Sequence, residues 1–200
     1  MKIIKKLILI LFTTILLGEC LYANEQEQLK ELFLQKIQKV TTIVQDETLS
    51  KDERNSKIVA LLTPTFDFEI MAKLSLGSRE WAKLNQEQKA KFVKLYVERM
   101  KQSYSSKLDA YHDQVIEVTQ INQPKDNRIE LVTNIVSPED KLEISYKYYK
   151  PSKQGEGKDT WLIYDVTILG ISILKTDRAQ FSEFLQTKTI DELIATLEDF

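Results

Sequence analysis

Residues 66–104 read FDFEIMAKLSLGSREWAKLNQEQKAKFVKLYVERMKQSY, and the fold follows from how this stretch breaks into helices. Phe66 to Leu76 has helical spacing and Asp67 near its start, where a carboxylate can accept the unpaired amides of a first turn. Gly77 stops it, since a helix closes most easily on a residue free to take positive φ. A second and longer helix is predicted to begin where Asn85 and Gln88 can cap each other. From there Phe92, Tyr96, Met100, Tyr104 and Leu108 recur every four residues, a row that winds slowly around the helix because four residues overshoot a turn.

Upstream, Leu29, Leu32, Phe33, Ile37, Val40 and Val44 fall three and four apart, so residues 24–44 form a helix with one apolar face. That face needs a partner. Ser50 and Glu53 have the spacing of a capping box for a helix carrying Ile58, Leu61 and Leu62, and Pro64 ends it. Downstream of His112 the apolar period falls to two. Val115 to Ile121, Arg128 to Val136, Lys141 to Tyr149 and Thr160 to Ile168 read as strands, separated by NQPKDN, SPED and KPSKQGEGKD, which hold the turn-forming residues. In the third strand Leu142, Ile144, Tyr146 and Tyr148 share one face, and Glu143, Ser145 and Lys147 share the other. In the fourth, strict alternation sets Trp161 and Ile163 opposite Leu162, Tyr164, Val166 and Ile168, as if both faces were covered. Gly170 breaks that strand. A helix from Ser172 to Thr187 follows, and Thr189 with Glu192 caps a last one. The expectation is an α+β domain over residues 24–200: a helical part (24–112), a four-stranded antiparallel meander (113–169) and C-terminal helices (170–200).

Residues 1–23 read differently. Lys2, Lys5 and Lys6 precede an apolar run from Leu7 to Leu17, then small and polar residues, the three-part pattern of a cleaved export signal. The run is short for a membrane span. Leu21-Tyr22-Ala23 offers the cleavage site, so the mature chain is expected to start at Asn24. Cys20 raises lipid attachment as an alternative, but Glu19 before it is a poor substitute for the small residue which that processing needs. Loss of the leader, with three Lys and one Glu, takes the net charge from −2 to −4. Such a balance disfavours nucleic acid and any standing attraction to anionic membrane surfaces. An exported chain left without thiols is held by its core alone.

The search for chemistry returns few residues. One histidine excludes a multi-histidine zinc centre, and four glycines in the mature chain, two of them in the GEG loop, cannot write a phosphate-cradling loop or a dinucleotide fingerprint. No metal or cofactor is expected. His112, beside Asp109 and Asp113, reads as a turn residue. Asp165 lies within the apolar run WLIYDVTI; it could serve as a general base in a greasy cavity, or bond a loop backbone or pair with Arg178 in a structural role.

The order Asp67-Phe68, Met71, Leu76-Gly77, Trp81, Gln88 and Phe92, followed by Trp161, Tyr164-Asp165, Gly170-Ile171-Ser172, Arg178 and Phe181, resembles the MlaC family, also called toluene-tolerance proteins. Trp81 stands one residue farther from Gly77 than in that pattern. The resemblance implies a curved sheet related to the NTF2-like cone, packed with helices and joined to an N-terminal helical subdomain. It implies a periplasmic carrier, not an enzyme, that shuttles diacyl phospholipid between an outer-membrane lipoprotein complex and an inner-membrane ABC transporter with an MCE-type subunit. An NTF2-like enzyme using Asp165 as base on a small hydrophobic substrate is the alternative. On the carrier reading the acyl chains would meet Met71, Leu74 and Trp81 from the short helical stretch, and Phe92, Tyr96, Met100 and Tyr104 from the long helix. The sheet would add Leu131, Leu142, Ile144, Tyr146, Tyr148, Ile163 and Val166, and Ile171 would follow from beyond it. Tyrosine suits such a wall, with a ring for hydrocarbon and a hydroxyl for the mouth.

Overall fold

A computed structural model of the chain describes residues 25–108, 114–137 and 141–198, except for the side chains of 104–108. The leader with its cleavage position, and His112, lie outside the described residues. Helix α1 spans 25–44, and α2 runs Lys51–Leu62 behind the capping box of Ser50 and Glu53. A 3-10 turn, Thr63–Thr65, takes up Pro64.

Helix α3 is Phe68–Leu76, and Asp67 accepts the amide of Ile70 at 3.0 Å. Gly77 closes it at φ 86° and opens α4, Ser78–Lys83. A side chain at Gly77 would strain the backbone, and its Cβ would lie 3.4 Å from the Arg178 guanidinium. Helix α4 was not among the helices expected: six residues are too few for a periodic signal. Helix α5, Gln86–Leu108, has the reciprocal cap of Asn85 and Gln88.

Five antiparallel strands follow in sequence order, forming a curved, unclosed sheet: β1 Val115–Lys125, β2 Arg128–Val136, β3 Lys141–Tyr149, β4 Leu162–Ile168 and β5 Ile171–Ser172. The four expected strands become five because the chain turns at Leu169-Gly170, both at positive φ, and pairs Ile171 with Ile168. Strand β1 reaches four residues beyond the expected Ile121, into the segment read as a loop. Pro124 is accommodated there by an extra residue between Asn122 and Lys125, and another extra residue falls at Thr119. A third bulge corrects the expected faces of β4. Between the pairs Lys147–Asp165 and Tyr148–Ile163 the residue Tyr164 is supernumerary, so Ile163 shares a face with Val166 and Ile168 and does not oppose them.

Helices α6, Ile173–Phe184, and α7, Ile190–Glu198, complete the chain. Ser172 caps α6, and Thr189 and Glu192 cap α7. Two apolar clusters result. One is helical, with α3 packed on α6 and α5, and α7 on α5. The other joins α1 to one face of the sheet.

Candidate functional site

The apolar face of the sheet is assembled by register. Ile129 pairs with Tyr148, Leu131 with Tyr146 and Thr133 with Ile144, while β4 brings Ile163 beside Tyr148, Val166 beside Tyr146 and Ile168 beside Ile144. Every one of these side chains points to the same side. Helix α1 covers part of it: Leu29 and Phe33, one turn apart, bury themselves in this cluster with Trp161, and the Phe33 and Tyr146 rings lie 5.2 Å apart. Burial pushes the Tyr146 phenol up to about 12 and raises that of Tyr148 well above its ordinary value. Under the roof a narrow cleft, continuous with solvent, is lined by Leu29, Leu32, Phe33, Thr65, Tyr148, Asp159 and Trp161. The space inside it that would hold a ligand is about 20 Å³, far below the range of drug-sized ligand pockets, so side chains fill most of the space in this conformation.

Polar contacts of α1 with the rest of the molecule sit at the margins of this cluster. Lys36 Nζ donates to Thr65 Oγ1 and Asp159 Oδ2, each at 2.5 Å, and Thr65 donates to the same carboxylate oxygen at 2.9 Å. Toward the start of α1, Lys150 donates to Glu25 at 2.6 Å and Gln26 to Gln123 at 3.3 Å. The loop carrying Asp159 is tied to the 3-10 turn, with its amide on the Pro64 carbonyl and Lys158 Nζ on the carbonyls of Thr63 and Phe66.

The residues expected to line one space are divided between two. Leu131, Leu142, Ile144, Tyr146, Tyr148, Ile163 and Val166 belong to the sheet cluster. Met71, Trp81, Phe92, Tyr96 and Met100 belong to the helical one. The helix opposite Tyr146 and Tyr148 is therefore α1 and not the Met100 helix, which packs on α2, α3 and α7. Helical periodicity identifies a buried face without naming what covers it. Phe66 and Ile173 touch both clusters and join them. Leu74 and Ile171 are exposed, Ile171 to 66%, and the side chain of Tyr104 lies outside the described residues. The expectation missed Leu29, Phe33, Ile129 and Trp161. For Leu29 and Phe33 the signal was the apolar stripe of α1, which had no assigned partner; Ile129 and Trp161 lay within segments already read as strands.

The two weighed carboxylates are both fully engaged. Asp165 is 3% exposed and accepts from Lys147 Nζ at 3.0 Å, from Ser172 Oγ at 2.9 Å and from the Leu174 amide at 3.2 Å. Its partner is thus Lys147, not Arg178. It also lies on the face of β4 opposite Ile163 and Val166, away from the cleft, where it ties the start of α6 to the sheet. Asp67 caps α3 and accepts from the Tyr149 hydroxyl. A second buried acid was not anticipated: Asp177 accepts from Tyr96 at 3.0 Å and from Arg99 within the helical cluster. Burial and the Asp177 charge raise the Tyr96 phenol. Among the described residues, no three His, Cys, Asp or Glu side chains are grouped to hold a metal ion.

Comparison with known proteins places this geometry. The family model described as MlaC protein matches residues 34–199. The intermembrane phospholipid transport system binding protein MlaC of Haemophilus influenzae is 29% identical over 140 residues, which make up 68% of this chain and 63% of that protein; the match thus spans under two thirds of the relative's length. A phospholipid-binding protein from Ralstonia solanacearum, solved in complex with a phospholipid, superposes with a TM-score of 0.70 at 16% identity, covering 87% of this chain and 94% of that one.

Proposed function

The chain belongs to the MlaC family, and on that premise we propose that it is a periplasmic phospholipid carrier, exported by residues 1–23 and non-enzymatic. It would hold acyl chains against the apolar sheet face beneath α1. The observation that carries this reading is the sheet face itself: a continuous apolar wall from Ile129 to Ile168, covered by a helix with polar contacts at its margins. The names of the Haemophilus relative and the Ralstonia neighbour agree with it.

The energetics explain why such a wall is needed. Exposing two chains of about sixteen carbons to water costs on the order of 25 kcal/mol, at roughly 0.8 kcal/mol per CH₂. A lipid does not cross an aqueous gap bare. A protein interior about as apolar as a bilayer makes transfer close to neutral, so the same wall can load and unload. Net direction then comes from the partners, an outer-membrane lipoprotein complex at one end and an inner-membrane ABC transporter with an MCE-type subunit at the other. The cleft is small for two acyl chains, so loading requires α1 to lift and side chains such as Phe33 and Tyr148 to give way. Asp165, committed to Lys147 and Ser172 on the far face, does not reach the cleft where the rival reading of an enzyme would need it as base.

Ile144 and Glu143 test the proposal, being neighbours on opposite faces of β3 with Ile144 buried and Glu143 exposed. Native mass spectrometry of the mature chain should find co-purified diacyl phospholipid. Ile144→Arg should lose most of it, since a charge would stand where hydrocarbon lies, and Glu143→Arg should retain it. Equal retention by both variants, each folded by circular dichroism, would refute the assignment of this face.

A further inference from the structure

We propose that Lys36 is the phosphate-binding residue of the carrier, exchanging the carboxylate of Asp159 for the phosphodiester of the lipid as α1 lifts. This rests on the carrier reading above. The cleft has one charged corner: Leu29, Leu32, Phe33, Tyr148 and Trp161 form its aliphatic and aromatic walls, and Thr65 and Asp159 form its polar end. The Lys36 ammonium is bonded to both polar residues at 2.5 Å, with its side chain only 19% exposed. An ammonium withdrawn from water needs an anion beside it. In the closed molecule Asp159 is that anion, supplied by a different part of the chain from α1.

The arrangement makes the exchange close to isoelectric. A phosphodiester carries one negative charge and two free oxygens, as a carboxylate does, and makes the same charge-assisted hydrogen bonds. Asp159 is 30% exposed while paired, so its return to water is short. Lys36 moves with the roof and Asp159 stays with the body, so lifting α1 parts the pair at the moment the lipid enters. On α1, Leu29, Phe33 and Lys36 follow at intervals of four and three residues on one stripe. Phe33 and Lys36 are about 4.5 Å apart along the axis. An acyl chain against Phe33 thus leaves the glycerol end of the molecule beside the ammonium.

The experiment compares uptake of two lipids that differ in the phosphate. The mature chain, stripped of lipid, is incubated with phosphatidylethanolamine–phosphatidylglycerol vesicles doped with dioleoylglycerol, and bound lipid is counted by native mass spectrometry. Lys36→Gln should lower phospholipid uptake about tenfold, the scale of a lost hydrogen bond to a charged group, and leave dioleoylglycerol uptake unchanged. Lys36→Arg should restore phospholipid uptake. Asp159→Asn, which removes the competing carboxylate, should raise it. Lys30→Gln removes the same charge from the exposed pair with Glu27 and should change nothing. The proposal is overturned if Lys36→Gln loses both lipids equally, which would make Lys36 a structural fastener, or if it takes up phospholipid as the unmodified chain does. It is overturned too if an excess of inorganic phosphate erases the difference between the chains, since the ammonium would then serve a free anion. An unmodified chain that takes up neither lipid would overturn the carrier reading itself.

Discussion

Tyr146 and Tyr148 tie the stability of the sheet cluster to alkaline pH. Burial raises the Tyr146 phenol from its ordinary value to about 12 and raises Tyr148 as well. Between the ordinary value near 10 and that raised value, the folded chain keeps protons that the unfolded chain releases. Their contribution is therefore complete below about pH 10 and is lost as pH climbs toward 12. Urea unfolding at stepped pH should show a flat midpoint up to about pH 9.5 and a fall above it, shallower in Tyr146→Phe. An identical slope in that variant would assign the alkaline loss to other groups. Asp67 was legible as a cap from its place before a helical run, because capping is local. Asp165 was legible only as a buried acid: its partners Lys147 and Ser172 come from β3 and from beyond the β4–β5 turn, and no spacing along the chain announces them.

Among the elements, α1 is the one that the carrier reading requires to move. It buries Leu29, Phe33 and Val40, leaves Leu32 and Leu34 exposed, and is fastened by side-chain contacts near its margins. Amide exchange should accordingly be at least about tenfold faster for residues 29–40 than for β3 in the lipid-free chain, and should slow when lipid is bound. Uniform protection across α1 and β3 without lipid would contradict a lifting roof. Strands β2 and β3 were legible at both ends, since they alternate cleanly between turn segments. The other two expected strands were not. Pro124 reads as a turn residue yet sits in a bulge, and Tyr164 interrupts the phase on which the faces of β4 were counted. A bulge is a property of pairing between two strands, which one strand's own pattern does not contain.

At the scale of the molecule, the two apolar clusters meet through Phe66 and Ile173. The order of helices, meander and helices was legible throughout; the separation of the site residues into two clusters was not, because it depends on which helix covers which face. The sheet is open, so β1 lies at its margin with eleven residues and, among the described residues, no strand beyond it. Two extra residues and Pro124 distort that margin, and Lys125 ends it. A long flat margin would be a template for cross-strand polymerisation between copies. Distortions of this kind guard an exposed sheet margin against pairing strand by strand with another copy. Pro124→Val combined with Lys125→Val should raise the concentration-dependent association seen in sedimentation above that of the unmodified chain, while leaving uptake per folded chain unchanged. On the carrier reading, crowded transit between two membranes thus depends on a proline at the margin of the sheet, away from the apolar face.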